Sequence, residues 1–327
     1  MTWLLLALGT IFLWGIADVL HKASLDPNDP VSHYKNFVWT GIIMALAGYI
    51  MSTWSETLLD SVKMVAGDVL YLIPLCLVYA AAMLLSLLGT KHLAVSVVTL
   101  LENINGALIA IIIYYYYLLT GYIHPSYAFG VVDFIATGVI IVGVIMLGRQ
   151  EQALFRQEML RGEEKKKHRF GALALFFPLL YALIDVFSIA EISGVSGNSG
   201  IVAVGTEDAI PAIDFFIFEC AGFAVASLCI WLYLAIVKKC VYNPFQPEEM
   251  VRCGAAMGET FGTMTFIFAA AVNPVLTGPV TSLYCFVTIL LARIFLKERL
   301  TKKQYVSMAF LAAGIILMGI SEIISVK

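Results

Sequence analysis

Five acidic residues stand inside long apolar stretches of this 327-residue chain: Asp18, Glu102, Asp185, Glu219 and Glu259. Charge in hydrocarbon is costly, so such side chains face a cavity, a water path or a partner. The only base clearly within an apolar stretch is Arg293, near one end of its run. An interior lined by unmatched carboxylates carries negative potential and favours an amine or another small cation. The chemistry these residues suggest is binding and release of a solute, with no bond made or broken.

Asp18 and Asp185 are the foremost candidates. Each lies one helical turn after an aromatic residue, Trp14 or Tyr181, which places ring and carboxylate on one helix face. A carboxylate beside aromatic rings holds an ammonium group by charge and by cation–π attraction. The alternative role for both acids is a hydrogen bond to Ser, Thr or Tyr on a neighbouring helix. Glu102 and Asn103, in the polar step of Leu100-Leu101-Glu102-Asn103-Ile104-Asn105, and Glu259, in Gly258-Glu259-Thr260, are further binding candidates. For these the alternative is interhelical hydrogen bonding, worth about 1 kcal/mol in model helices. Glu219, nearer the end of its run, is expected to be solvated. An acid that holds either a proton or a cationic solute, but not both, is the simplest physical basis for proton-coupled exchange, and Asp18, Asp185 and Glu259 are the residues to which that role is assigned.

The elements that must position these groups are membrane spans. Hydrophobic residues make up 61% of the chain and charged ones 13%, about half the charged share of a soluble domain. A helix needs about 20 apolar residues to cross a bilayer, and such runs recur near 2–22, 34–54, 69–90, 94–119, 127–148, 171–191, 214–237, 254–272, 275–297 and 304–323. Short alternating segments of the outer-membrane barrel kind are absent from the sequence. Backbone groups in lipid must be satisfied within their own helix, so the expected fold is an all-α bundle of ten transmembrane helices. The first run lacks a basic leader and a small-residue cleavage site and is expected to be retained.

The charged stretch Arg149–Arg169 divides the runs five and five. It separates a first repeat, 1–148, from a second, 171–327, across an amphipathic linker, 149–170. Nearly all Lys and Arg fall after odd-numbered runs, with Lys63 and Lys327 on the other side. By the excess of basic residues in cytoplasmic loops, both termini are expected outside and the linker in the cytosol. Five spans per half require the halves to lie in opposite orientations. Leu13-Trp14-Gly15-Ile16-Ala17-Asp18-Val19 aligns with Leu180-Tyr181-Ala182-Leu183-Ile184-Asp185-Val186, as inverted repeats with a site at their interface would demand.

Other classes are less well supported. A formal net charge of −3 gives no basic surface for nucleic acid. The six cysteines have no metal-ligand spacing and are expected to be buried thiols. No Walker-type loop is present and no cofactor is expected. Gly197-Asn198-Ser199-Gly200 matches the GxSG of rhomboid-type intramembrane proteases, but all five histidines precede it, whereas that class places its base later. His21 and Asp26 have the HxxxxD spacing of acyltransferases, beside turn-forming prolines. Neither makes an enzyme the expectation. A non-transporting scaffold or sensor would carry no polar residues at matched depth in two halves. The tyrosines Tyr114–Tyr117 go round a full helical turn and fit an interfacial belt.

Several short motifs resemble the drug/metabolite transporter superfamily in its ten-span, EamA-like form. Leu13-Trp14-Gly15 followed by Lys22-Ala23 is similar to the family's opening helix. Lys91-His92-Leu93-Ala94-Val95-Ser96 resembles its first-repeat hinge. Ala292-Arg293-Ile294-Phe295-Leu296-Lys297-Glu298-Arg299-Leu300-Thr301, leading into Gly314-Ile315-Ile316-Leu317-Met318-Gly319, is similar to its second-repeat ending. The first repeat departs from the pattern at Leu118-Leu119-Thr120-Gly121, where a Gly-Glu usually closes the fourth span. The resemblance implies alternating access without nucleotide hydrolysis and a substrate region near Glu102 and Asn103. It also implies a plasma-membrane (or bacterial inner-membrane) location and action as a monomer or homodimer. The substrate expected is a small amine-bearing metabolite such as an amino acid or quaternary amine, with a neutral or sugar-type metabolite as the alternative.

Overall fold

Apolar runs without internal polar punctuation form helices because only a helix satisfies every backbone group locally. A computed structural model describes residues 2–55, 66–105, 131–161, 171–192, 212–240, 242–272, 277, 280–298 and 300–325. Among them there is no strand. The long elements are α1 (Thr2–Ser24), α2 (Ser32–Ser55), α3 (Ala66–His92), α4 (Val95–Glu102), α5 (Val131–Arg161), α6 (Phe176–Ile192), α7 (Ala212–Ile236), α8 (Met250–Val272), α9 (Tyr284–Leu291) and α10 (Lys302–Ser325). Four of these stretches are long and apolar enough to cross a membrane: Thr2–Ser24, Ser32–Thr53, Ala212–Ile236 and Met250–Val272. Shorter apolar helical stretches cover Cys76–His92, Phe134–Leu147, Leu173–Val186 and Tyr284–Leu296. The protein is thus a bundle of apolar helices suited to a membrane.

Local chemistry explains several helix ends. Thr301 and Gln304 form a reciprocal cap at the start of α10, with Thr301 N donating to Gln304 Oε1 at 2.8 Å and Gln304 N to Thr301 Oγ1 at 3.2 Å. A 3₁₀ turn, Gly171–Leu175, leads into α6, and Pro178 falls in the first turn of that helix, where its missing N–H has no intrahelical acceptor to lose. α9 ends in a π-turn, Ala292–Leu296, closed by Lys297 in the left-handed region at φ 54°.

One boundary differs from the sequence expectation. α5 does not stop near residue 148 but continues through the charged stretch to Arg161. Its 31 residues at about 1.5 Å each make it longer than a hydrocarbon core of about 30 Å is thick. The first part of the expected linker is therefore helix. Tyr114–Tyr117, Gly197–Gly200 and the rest of the linker from 162 to 170 lie outside the described residues, as does the end of the fourth expected span.

Two large apolar clusters and two smaller ones form the interior. One large cluster joins α4, α5, α6, α9 and α10 through Leu100, Leu101, Ile140, Ala182, Cys285 and Leu311. The other large cluster joins α2, α3, α7 and α8 through Phe37, Met44, Leu87, Phe216, Phe223 and Ile267. α1 packs on α8 and α9, and α6 on α3 and α4. The α1–α8 approach is close because Gly258 and Gly262 leave room: a Cβ on Gly262 would lie 2.4 Å from Trp14 Cδ1, and one on Gly258 3.0 Å from Leu13 O. All six cysteines are free. Cys76, Cys220 and Cys285 are buried, but Cys229 is exposed on the outside of α7, contrary to the expectation of uniformly buried thiols.

Candidate functional site

The close α1–α8 contact sets the depth of Trp14. Its ring lies 5.3 Å from that of Phe266 on α8 and 5.5 Å, edge-on, from that of Tyr284 on α9. One turn further along α1 is Asp18. Its Oδ2 accepts from Thr99 Oγ1 at 3.0 Å and from Thr288 Oγ1 at 3.1 Å. Thr99 is on α4 and Thr288 on α9, so one carboxylate oxygen ties three helices.

Asp185 on α6 is held from the same stretch of chain. Asn105 Nδ2, just past the end of α4, donates to Asp185 Oδ2 at 2.9 Å. Tyr181 lies one turn before Asp185 on α6, close to Tyr79 on α3. Asn103, between the two anchoring side chains, turns its amide back on α4, with Nδ2 donating to Thr99 O at 2.7 Å. Its donor is thereby used within its own helix.

Glu102 lies between the two aspartates along the chain. It is buried and within electrostatic reach of Asp18, Glu259 and Asp185. Glu102 Oε1 is buried without a hydrogen-bond partner. Trp14 Nε1 is likewise buried and unpartnered. Such orphaned groups are rare in folded proteins and mark places completed by water, an ion or a ligand. Glu259 on α8 senses Asp18, Glu219 and Asp185. Glu219, expected to be solvated, is buried on α7 within reach of Asp185.

Five carboxyl groups, on α1, α4, α6, α7 and α8, thus lie inside the bundle, each within electrostatic reach of at least one other. All the sequence candidates, Trp14, Asp18, Glu102, Asn103, Tyr181, Asp185 and Glu259, lie in or beside this group. Sequence reasoning missed Thr99, Thr288, Asn105, Tyr79, Phe266 and Tyr284 as its supports. Lone hydroxyl residues at 99 and 288 in apolar runs were the available signal, but they do not name their partners. Among the described residues no group of three or more His, Cys, Asp or Glu is arranged to hold a metal ion. His21 and Asp26 are engaged apart: His21 Nδ1 faces Asn36 Nδ2 at 3.3 Å, and Asp26 Oδ1 accepts the Asn28 N–H at 2.8 Å.

One end of the bundle is closed by polar contacts. Lys22 Nζ donates to the carbonyls of Thr90 and Leu93 at the end of α3, at 2.5 and 2.6 Å. Glu298, after α9, caps α4: its carboxylate accepts from Val95 N at 2.9 Å and from Ser96 Oγ at 2.7 Å. Arg252 on α8 donates to Asn36 Oδ1 at 2.7 Å and to Ser24 O at 2.8 Å, and pairs with Glu249. Just outside, Asp29 accepts from Lys35 Nζ at 2.7 Å. Partial burial pushes the Asp29 carboxyl up, but that bond and the charges of Lys35 and Lys91 outweigh it and hold the group below its ordinary value.

No family model matches the sequence, and no curated protein matches it. Among solved structures, a crystal structure of a protein 13% identical in sequence superimposes with a TM-score of 0.58 over 96% of this chain and 96% of its own. At that identity the likeness is one of fold, extending over nearly the whole chain.

Proposed function

We propose that this protein is a secondary transporter of the drug/metabolite transporter kind, carrying a small amine-bearing metabolite by alternating access. The observation that carries the reading is the set of five carboxyl groups on separate apolar helices, each within electrostatic reach of another, together with the aromatic group around Trp14. Such a site favours a cation electrostatically and holds an ammonium group against rings.

The packing pattern supports two inverted five-helix repeats. If α1–α5 correspond to α6–α10 in order, the α1–α8 contact is mirrored by α6–α3, α1–α9 by α6–α4, and α3–α7 by α8–α2, while α2–α7 and α5–α10 are their own mirror images. Ten spans with outward termini, a cytosolic linker and a plasma-membrane location belong to the same proposal, as do an inward closed end at Lys22, Arg252 and Glu298 and action as a monomer or homodimer. Asp18, Asp185 and Glu259 are the groups proposed to trade a proton for substrate.

A second reading has its own observation. Asp18 is held by two threonine hydroxyls and Asp185 by an asparagine, so both could act as struts around a neutral, sugar-type substrate. Flux into proteoliposomes separates the two, using a panel of amines, amino acids and sugars with and without an imposed pH gradient. Saturable amine flux that responds to the gradient supports the first reading. Sugar flux alone supports the second. No flux of any solute would leave a scaffold or sensor as the better account.

A further inference from the structure

Away from the carboxylates, the turn from α9 to α10 encloses a cleft of about 160 Å³. Phe286, Ile289, Leu290 and Leu300 form its apolar walls, and Arg293 and Tyr305 complete it. Arg293 NH1 donates to Tyr305 Oη at 2.8 Å, and the guanidinium stands 5.7 Å from that ring. A guanidinium offers five N–H donors, so the tyrosine orients Arg293 while consuming little of its capacity. Lys297, Lys302 and Lys303 are exposed on the same turn.

The apolar wall continues along the outer face of α9, where Leu283, Phe286 and Leu290 are exposed on successive turns. An apolar stripe of this kind ends here in a basic collar, at a π-turn, a feature frequent at functional sites. Anionic lipid headgroups are drawn to such basic pockets between helices. Free phosphate would match the collar but not the stripe, whereas a phospholipid matches both.

We propose that this cleft binds an anionic phospholipid, its phosphate on Arg293 and the lysine collar, and one acyl chain along Leu290, Phe286 and Leu283. Ser96 and Glu298 line the same cleft, so the bound lipid also braces the contact by which Glu298 caps α4. The acid in the cleft does not repel the headgroup strongly, because its charge is already engaged by two backbone N–H groups and the Ser96 hydroxyl. The site is independent of what the protein carries.

The test uses the full chain in neutral detergent. Phosphatidylglycerol, phosphatidylcholine of the same chain length, or inorganic phosphate is added, and bound lipid is read by native mass spectrometry with thermal shift alongside. Wild type is expected to retain phosphatidylglycerol in preference to phosphatidylcholine. Arg293→Gln is expected to weaken phosphatidylglycerol binding by about fivefold, the share of one basic residue near the membrane surface. Leu290→Trp, which fills the cleft and leaves every charge in place, is expected to weaken it as well. Equal retention of the two lipids by wild type, an undiminished preference in Leu290→Trp, or the same thermal shift from inorganic phosphate would overturn the proposal.

Discussion

Thr99 and Asn105 hold carboxylates from the two halves of the chain with one short stretch of backbone: Thr99 Oγ1 donates to Asp18 at 3.0 Å and Asn105 Nδ2 to Asp185 at 2.9 Å. Any shift of α4 is therefore felt by both aspartates, and by Glu102 between them. Removing the Thr99 hydroxyl takes one of two hydroxyl donors from a partly buried carboxylate, a loss of about 1 kcal/mol. Thr99→Val should lower the thermal midpoint in detergent, and Thr99→Ser should recover most of it. Equal midpoints for Val and Ser would show that the hydrogen bond contributes nothing.

The α1–α8 approach has no room for a methyl group at Gly262, where a Cβ would meet Trp14 Cδ1 at 2.4 Å and Nε1 at 2.7 Å. Gly262→Ala is expected to destabilise by about 1–3 kcal/mol through overpacking and to shift Trp14 fluorescence. Gly138 on α5 has nothing within 4 Å of its virtual Cβ. Gly138→Ala should be neutral, or stabilising by up to about 1 kcal/mol from helix propensity. Denaturation midpoints of the two variants check the contrast.

Glu298 satisfies two of the backbone donors that open α4. Glu298→Ala should cost about 0.5–2 kcal/mol, as loss of a helix cap does. It should also raise the rate at which Ser96→Cys reacts with a polar maleimide. Glu298→Gln keeps an acceptor and should lie between Ala and wild type. An unchanged labelling rate in Glu298→Ala would remove Glu298 from any part in closing that end.

Asp29 has a pH signature of definite sign. Its folded-state value lies below the ordinary 3.8, so its contribution to stability is fully present above 3.8 and fades as pH falls through the lower, folded-state value. Asp29→Asn should therefore melt earlier than wild type near neutrality, and the two curves should merge in acid. The difference is expected to be small, because the pair with Lys35 is partly exposed. A gap that widened on acidification would contradict the assignment.

Much of this arrangement was legible in the sequence because a bilayer imposes length and polarity on helices directly. The apolar runs foretell where α1, α2, α7 and α8 lie, and an acid in such a run announces that it faces inward. Two kinds of information were hidden. The end of α5 was missed because the charged stretch up to Arg161 is rich in good helix formers, and charge alone does not stop a helix. Donors such as Thr99 and Thr288 were missed because one hydroxyl in an apolar run fits any neighbour; pairing is decided by how α1 nests against α4 and α9. Glu219 shows the limit in the other direction. Its position near a run's end suggested solvent, yet packing among α2, α3 and α7 buries it.

The account depends most on Asp18 and Asp185 sharing one solute-binding region. The most direct measurement is initial amine flux into proteoliposomes for wild type, Asp18→Asn and Asp185→Asn at equal reconstituted amounts, with folding checked by thermal midpoint. Asparagine keeps size and hydrogen bonding while removing charge. Both variants are expected to lose flux by tenfold or more, about 1.4 kcal/mol or more in apparent coupling, with midpoints near wild type. Wild-type flux in either folded variant would contradict the claim that paired buried charge holds the cargo.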